Sequence, residues 1–133
     1  MPAFLELDAV HFLQDQSIRE WGGYHGLRDE ALLASALNRP RDRHAYEPDS
    51  SLFRLAAAYA FGIAKNHAFL DGNKRTAWSC CVMFLKINGI NLRVSAIEAV
   101  ENTVALAEGR MTEVDFCSWL EPYQAGNPAK PLP

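Results

Sequence analysis

At 133 residues the chain has room for one domain and not two, and 49% hydrophobic with 22% charged residues excludes collagen-like, disordered and disulfide-stapled classes. Thirteen Lys and Arg against sixteen Asp and Glu leave a formal charge of −3, which gives no general electrostatic grip on nucleic acid or anionic lipid. Any phosphate chemistry has to come from a local cluster.

In chain order, Asp8 is positioned to cap a first helix with Val10, Leu13 and Trp21 among its apolar positions, ended by Gly22 and Gly23. Asp29 and Glu30 open a second helix that buries Leu32, Leu33, Ala36 and Leu37, and the Asn38-Arg39-Pro40 step is expected to close it, because proline disfavours a helical residue before it. A turn-rich basic stretch, residues 39–49, follows. Ser50 or Ser51 starts a third helix, so apolar around its circumference (Leu52, Phe53, Leu55, Ala56, Tyr59, Ile63) that it reads as central and buried. The loop 66–73 separates it from a fourth apolar run, residues 77–87, which stops at Asn88-Gly89 in the manner of a left-handed cap. Residues 90–94 are expected to be briefly extended. Ser95 with Glu98 makes a capping-box pattern for a fifth helix ending at Gly109, and Thr112 with Glu113 and Asp115 opens a sixth through Phe116, Trp119 and Leu120.

No set of alternating strands is visible, so the expected fold is all-α, a compact bundle of about six helices with a loop between the two central ones. The domain is expected to occupy residues 1–121. Residues 122–133, with four Pro in twelve positions, read as a flexible, disordered tail.

Three cysteines, two of them the neighbours Cys80 and Cys81, are a poor disulfide framework and point to a reduced setting. No charged and apolar leader opens the chain, and no apolar run approaches the roughly 18 residues of a membrane span. The expected location is therefore the cytoplasm.

The segment that carries chemistry joins helices three and four: Asn66-His67-Ala68-Phe69-Leu70-Asp71-Gly72-Asn73-Lys74-Arg75-Thr76. Across residues 65–75, Lys65, Lys74 and Arg75 oppose only Asp71, a local surplus of positive charge in an acidic protein. Gly72 permits a tight turn, and Asn73 to Arg75 fall where a starting helix exposes unpaired N–H groups. A phosphate there meets the positive end of a helix dipole, a lysine point charge and a planar guanidinium fork. His67 adds a group that accepts a proton when neutral, and Asp71 a hard carboxylate of the kind Mg²⁺ takes beside phosphate oxygens. Phe69 is expected to point inward as an anchor.

Each residue also has a plainer reading. His67 alone would pass for a buried, hydrogen-bonded histidine, Asp71-Gly72-Asn73 for a turn and helix cap, and Lys74 with Arg75 for a solvated face. Their coincidence within nine residues argues for a site. Arg39, Arg41, Arg43 and His44 read as an exposed turn in preference to a docking surface, and Cys80, Cys81 and Cys117 as small core residues. His11 and His25 have no partner at zinc-binding spacing.

The loop resembles the signature of the Fic/Doc family, H-x-F-x-[D/E]-G-N-x-R, with His67, Phe69, Asp71, Gly72, Asn73 and Arg75 at every fixed position. Gly26-Leu27-Arg28-Asp29-Glu30, Ala36-Leu37-Asn38-Arg39-Pro40 and Lys74-Arg75-Thr76 resemble its death-on-curing (Doc) branch, and the similarity spans roughly residues 4–121. The resemblance implies His67 as base for a target hydroxyl, Asp71 as ligand of Mg²⁺, and Gly72, Asn73, Lys74 and Arg75 as the phosphate-binding set of a bound ATP, with Arg75 also catalytic. Lys74 stands where the nucleotidyl-transferring branch has glycine, and Trp78 where it has a second arginine. Both differences disfavour AMP transfer, the alternative reading, and accompany a nucleotide bound in reversed orientation in the Doc branch. That branch is a toxin kinase that phosphorylates a threonine of elongation factor Tu, stops translation and is restrained by a small antitoxin. A non-catalytic module that binds nucleotide or phosphoprotein is the remaining alternative. Neither direct nucleic-acid binding nor a membrane is implied.

Overall fold

The computed structural model describes residues 1–125. Six α-helices run in order: α1 (Leu7–Trp21), α2 (Glu30–Tyr46), α3 (Leu52–Asn66), α4 (Asn73–Ile87), α5 (Ala96–Ala107) and α6 (Glu113–Leu120), followed by one 3₁₀ turn, Glu121–Tyr123. Among the described residues the only β pairing is two isolated bridges, Leu27 with Phe69 and Leu92 with Gln124. The fold is the expected all-α bundle.

The apolar circumference of α3 fixes the arrangement. Leu55, Ala56, Ala57, Ala58, Tyr59, Ala60, Ile63 and Ala64 are all buried, so the helix needs neighbours on every side. It packs against α2, α4, α5 and α6, and α1 packs against α4. Small residues let the helices approach closely: a methyl on Gly62 would stand 3.1 Å from the Ala36 Cα of α2. Tyr59 packs on Phe84 with ring centroids 5.1 Å apart and planes tilted by 44°, and its hydroxyl accepts from the Leu5 N–H at 2.9 Å, tying the N-terminal segment to the core.

Four helix starts are capped where the sequence places them, the first by Asp29, which accepts from the Leu32 N–H at 3.0 Å. Ser51 accepts from the Arg54 N–H, Ser95 from Glu98 and Thr112 from Asp115. The capping box at Ser95 is only half made, because the Glu98 carboxylate instead accepts from the Tyr123 hydroxyl at 2.8 Å. α1 starts one residue before Asp8, with Glu6 as its cap residue, so Asp8 lies inside the first turn, where its charge favours the dipole.

α2 departs most from expectation. It runs through Pro40 to Tyr46, so most of the presumed basic turn is helical. Proline at position 40 removes a bond to the carbonyl of Ala36. That carbonyl oxygen faces Gly62, where no side chain intrudes. Beyond the proline, Arg39 and Arg43 lie one turn apart and both reach Glu113 of α6, at 2.6 and 3.6 Å, while Arg54 of α3 reaches it at 2.6 Å. Arg41 lies over the Phe4 ring, 4.8 Å from its centroid. Tertiary packing thus outweighs the local helix-stop signal, and these cations clamp the bundle internally.

The residues just after Leu120 also stay on the body. Tyr123 is buried, Arg93 donates its N–H to the Tyr123 carbonyl at 2.8 Å, and Ala125 donates to Asn91 at 2.7 Å. Of residues 90–94, expected to be extended, Leu92 makes an isolated antiparallel bridge with Gln124. Of the tail expected from Pro122, residues 126–133 lie outside the described residues.

Candidate functional site

The site is built where α3 stops and α4 starts. α3 ends at Asn66, and His67 turns the chain with a left-handed backbone, φ 50° and ψ 48°. It is the one non-glycine residue among those described with positive φ. Arg28 holds this turn from outside, donating Nε to the His67 carbonyl at 2.7 Å and Nη2 to the Asn66 carbonyl at 3.3 Å. A guanidinium at the end of α3 satisfies orphan carbonyls and complements the negative end of the dipole. The Asn66 side chain donates to the Leu32 carbonyl at 2.9 Å, fixing the same turn to α2. The imidazole of His67 is solvent-exposed.

Next the chain dips into the core. Ala68 and Phe69 are buried, and Phe69 meets the edge of His11 at 5.8 Å. The Ala68 carbonyl accepts from both Arg28 and Asp29, and Leu70 donates to the Gly26 carbonyl, so residues 26–29 form a strap along the loop. Asn73 closes it from the other side: its side-chain oxygen accepts from the Phe69 N–H and its NH₂ donates to the Phe69 carbonyl, both at 3.0 Å. Asn73 therefore braces the loop with its amide, and what it presents outward is its backbone N–H at the start of α4.

Asp71 and Gly72 then turn into α4. Gly72 adopts φ 73°, a left-handed conformation that suits glycine, and no side chain caps the helix. The backbone N–H of Thr76 is the one that returns to Gly72, which leaves the earlier amides of α4 facing outward. The Asp71 carboxylate accepts from the Gly72 N–H at 3.1 Å and from the Tyr24 N–H at 3.3 Å. Gly23 is required beside it, since a Cβ there would stand 2.7 Å from Asp71 Oδ2. Two acceptances leave this half-buried carboxylate with lone-pair capacity for a cation, so the residues present fit one Mg²⁺ shared with phosphate oxygens. Arg75 donates to the Gly22 carbonyl at 3.2 Å, and Lys74 is exposed.

His67, Asp71, Gly72, Asn73, Lys74 and Arg75, with Leu70, line one hollow of about 500 Å³. All six residues singled out from the sequence thus line one hollow together. Sequence reasoning missed Arg28, Gly23 and the strap. Their signal was a glycine-rich segment followed by Arg-Asp, with nothing to show that it lies on a loop 39 residues away.

The cysteines offer no competing nucleophile. Burial pushes the Cys80 thiol up to about 12 and Cys81 higher still, and burial with Glu121 nearby raises Cys117 to about 11. Among the described residues no helix is long and apolar enough to cross a membrane.

Comparison with known proteins accords with this geometry. The family model described as "Fic/DOC family" matches residues 4–85. The chain is 36% identical over 107 residues to "Protein kinase doc" of Escherichia phage P1, covering 80% of this chain and 82% of that protein. It is 40% identical over 95 residues to "Toxin Doc" of Mycolicibacterium smegmatis, covering 71% of this chain and 68% of that protein. With the signature loop exposed between its two central helices, the chain belongs to the Fic/DOC family, in its death-on-curing branch.

Proposed function

We propose that this protein is a cytoplasmic toxin that transfers the γ-phosphoryl group of ATP to a protein hydroxyl, a threonine of elongation factor Tu, and so inhibits translation. The observation that carries the reading is the exposed imidazole of His67 in one hollow with Lys74, Arg75 and the uncapped start of α4. The kinase named among the relatives supports phosphoryl transfer over nucleotidyl transfer. Trp78 supports it too: its ring packs on Trp119 at 5.7 Å and on Phe116 at 6.4 Å, so this turn of α4 adds no further cation for a phosphate chain.

In this mechanism the free amides of α4, Lys74 and Arg75 hold the phosphates and stabilise charge on the transferred group. Neutral His67 takes the proton from the target hydroxyl as its oxygen bonds to the γ-phosphorus. The bond from that phosphorus to the β–γ bridging oxygen breaks, and ADP leaves. Asp71 would hold Mg²⁺, whose chemistry when bound is to offset phosphate charge. The relative named as a toxin supports a small antitoxin as the restraining partner.

The test uses purified protein, elongation factor Tu and ATP. Phosphate is expected on a threonine of the target, and His67→Ala is expected to lower turnover by about 10²–10⁴-fold, the usual contribution of a general base, with ATP affinity nearly unchanged. A His67→Ala protein as fast as its parent would contradict the assignment of the base.

A further inference from the structure

One inward side chain of α1 is an amide. Gln14 is 1% exposed, on a helix face it shares with Val10, Leu13, Ser17 and Ile18. We propose that Gln14 is a positioning residue for the Asp71 carboxylate, holding it in the orientation that takes Mg²⁺. The inference rests on the assignment of Mg²⁺ to Asp71 above and deepens it.

The hydrogen bond comes first. Gln14 Nε2 donates to the backbone carbonyl of Asp71 at 3.1 Å, across 57 residues of sequence. Burying an amide is unfavourable unless it finds a partner, so an apolar side chain would suit a position that served packing alone. Other contacts show that α1 is fitted to this loop. His11 meets the Phe69 ring at 5.8 Å, and Ile18 Cδ1 stands 3.3 Å from where a Cβ on Gly72 would lie.

What the carbonyl controls is the second step. The Asp71 carbonyl and the Gly72 N–H belong to one planar trans peptide unit, so they point in opposite directions and turn together. That N–H is the donor to Asp71 Oδ1 at 3.1 Å, while the Tyr24 N–H holds Oδ2 at 3.3 Å. Fixing the carbonyl therefore aims the N–H, and the N–H orients the carboxylate.

The turn does not make this choice by itself. Turning the peptide over would carry Gly72 from φ 73° to a negative φ, and glycine adopts both signs about as readily. No side chain caps α4 to lock its start, and the Asn73 amide is committed to Phe69. The bond from α1 selects one orientation. Gln14 is not among the residues lining the hollow, so it acts through Asp71 and not on the ligand.

The experiment measures, by calorimetry on the intact chain, binding of the β,γ-imido analogue of ATP with Mg²⁺ and without divalent metal. The parent is expected to bind the Mg²⁺ complex at least tenfold tighter than the metal-free analogue, and Asp71→Asn to lose that gain. Gln14→Met keeps the length of the side chain but cannot donate. It should lose most of the gain, in keeping with the roughly 10–100-fold in metal affinity that groups behind a metal ligand carry, and bind the metal-free analogue within about twofold of the parent. Gln14→Leu, a second side chain without a donor, should behave alike. Added to Asp71→Asn, Gln14→Met should change neither affinity by more than about twofold. Val10→Ala, which opens a cavity on the same helix face, should lower Tm and keep the gain. A Gln14→Met protein that retains the gain, one whose two affinities fall together, or a Val10→Ala protein that loses the gain equally overturns the positioning role and spares Asp71 as metal ligand. A parent that gains nothing from Mg²⁺ overturns the metal assignment and the inference together.

Discussion

His67 faces solvent because its backbone is left-handed, a conformation that costs a non-glycine residue about 1–2 kcal/mol and needs its surroundings to hold it. Arg28 supplies that hold through the backbone carbonyls of Asn66 and His67 and does not itself line the hollow, so we treat it as a positioning residue. Arg28→Ala should lower kcat at least tenfold while the dissociation constant for ATP stays within about twofold, and Arg28→Lys should recover part of kcat through its single cation. Equal losses in both constants would mark a general structural role. Lys74→Ala should do the reverse of Arg28→Ala and weaken ATP first. At this scale the sequence was informative wherever a residue's role follows from its type and spacing: His67, Asp71, Gly72 and Arg75 all reach the hollow. It was silent on Arg28, whose contribution runs through the backbone of a loop distant in the chain, and it did not show that Asn73 spends its amide on Phe69.

Among the elements, helix starts were the most legible. Ser51, Ser95 and Thr112 all cap as their side chains predict, since capping is decided within four residues. The end of α2 was not, because what continues the helix past Pro40 lies on other elements: Gly62 on α3 and Glu113 on α6. Gly62→Ala tests that packing, since alanine is better than glycine in a helix by about 1 kcal/mol yet its methyl would press on Ala36 at 3.1 Å. Overpacking of this kind costs about 1–3 kcal/mol, so the variant should be net less stable in urea titration. A more stable Gly62→Ala protein would show that α2 and α3 have slack between them.

Over the whole molecule, one carboxylate joins three helices. Glu113, with its side chain 8% exposed, meets Arg39 and Arg43 of α2 and Arg54 of α3. Glu113→Ala leaves those cations facing one another and should destabilise the fold by about 3–5 kcal/mol, read from equilibrium unfolding. Alkaline pH should act on the core as well. Burial raises Tyr59 from 10.0 to about 12 and Cys80 from 9.0 to about 12, so each favours folding while protonated. Their contribution is complete below pH 9 and lost as pH rises towards about 12, so Tm should be level on the acid side of that window and fall across it. Tyr59→Phe should blunt the fall; an unchanged slope would place the effect elsewhere. The central claim, that the loop between α3 and α4 directs phosphoryl transfer, is tested most directly by incubating the protein with elongation factor Tu and ATP labelled at either the α or the γ phosphate. Label from the γ position, and none from the α position, should appear on the target and vanish with His67→Ala. Transfer from the α position would make the protein a nucleotidyltransferase and contradict the account.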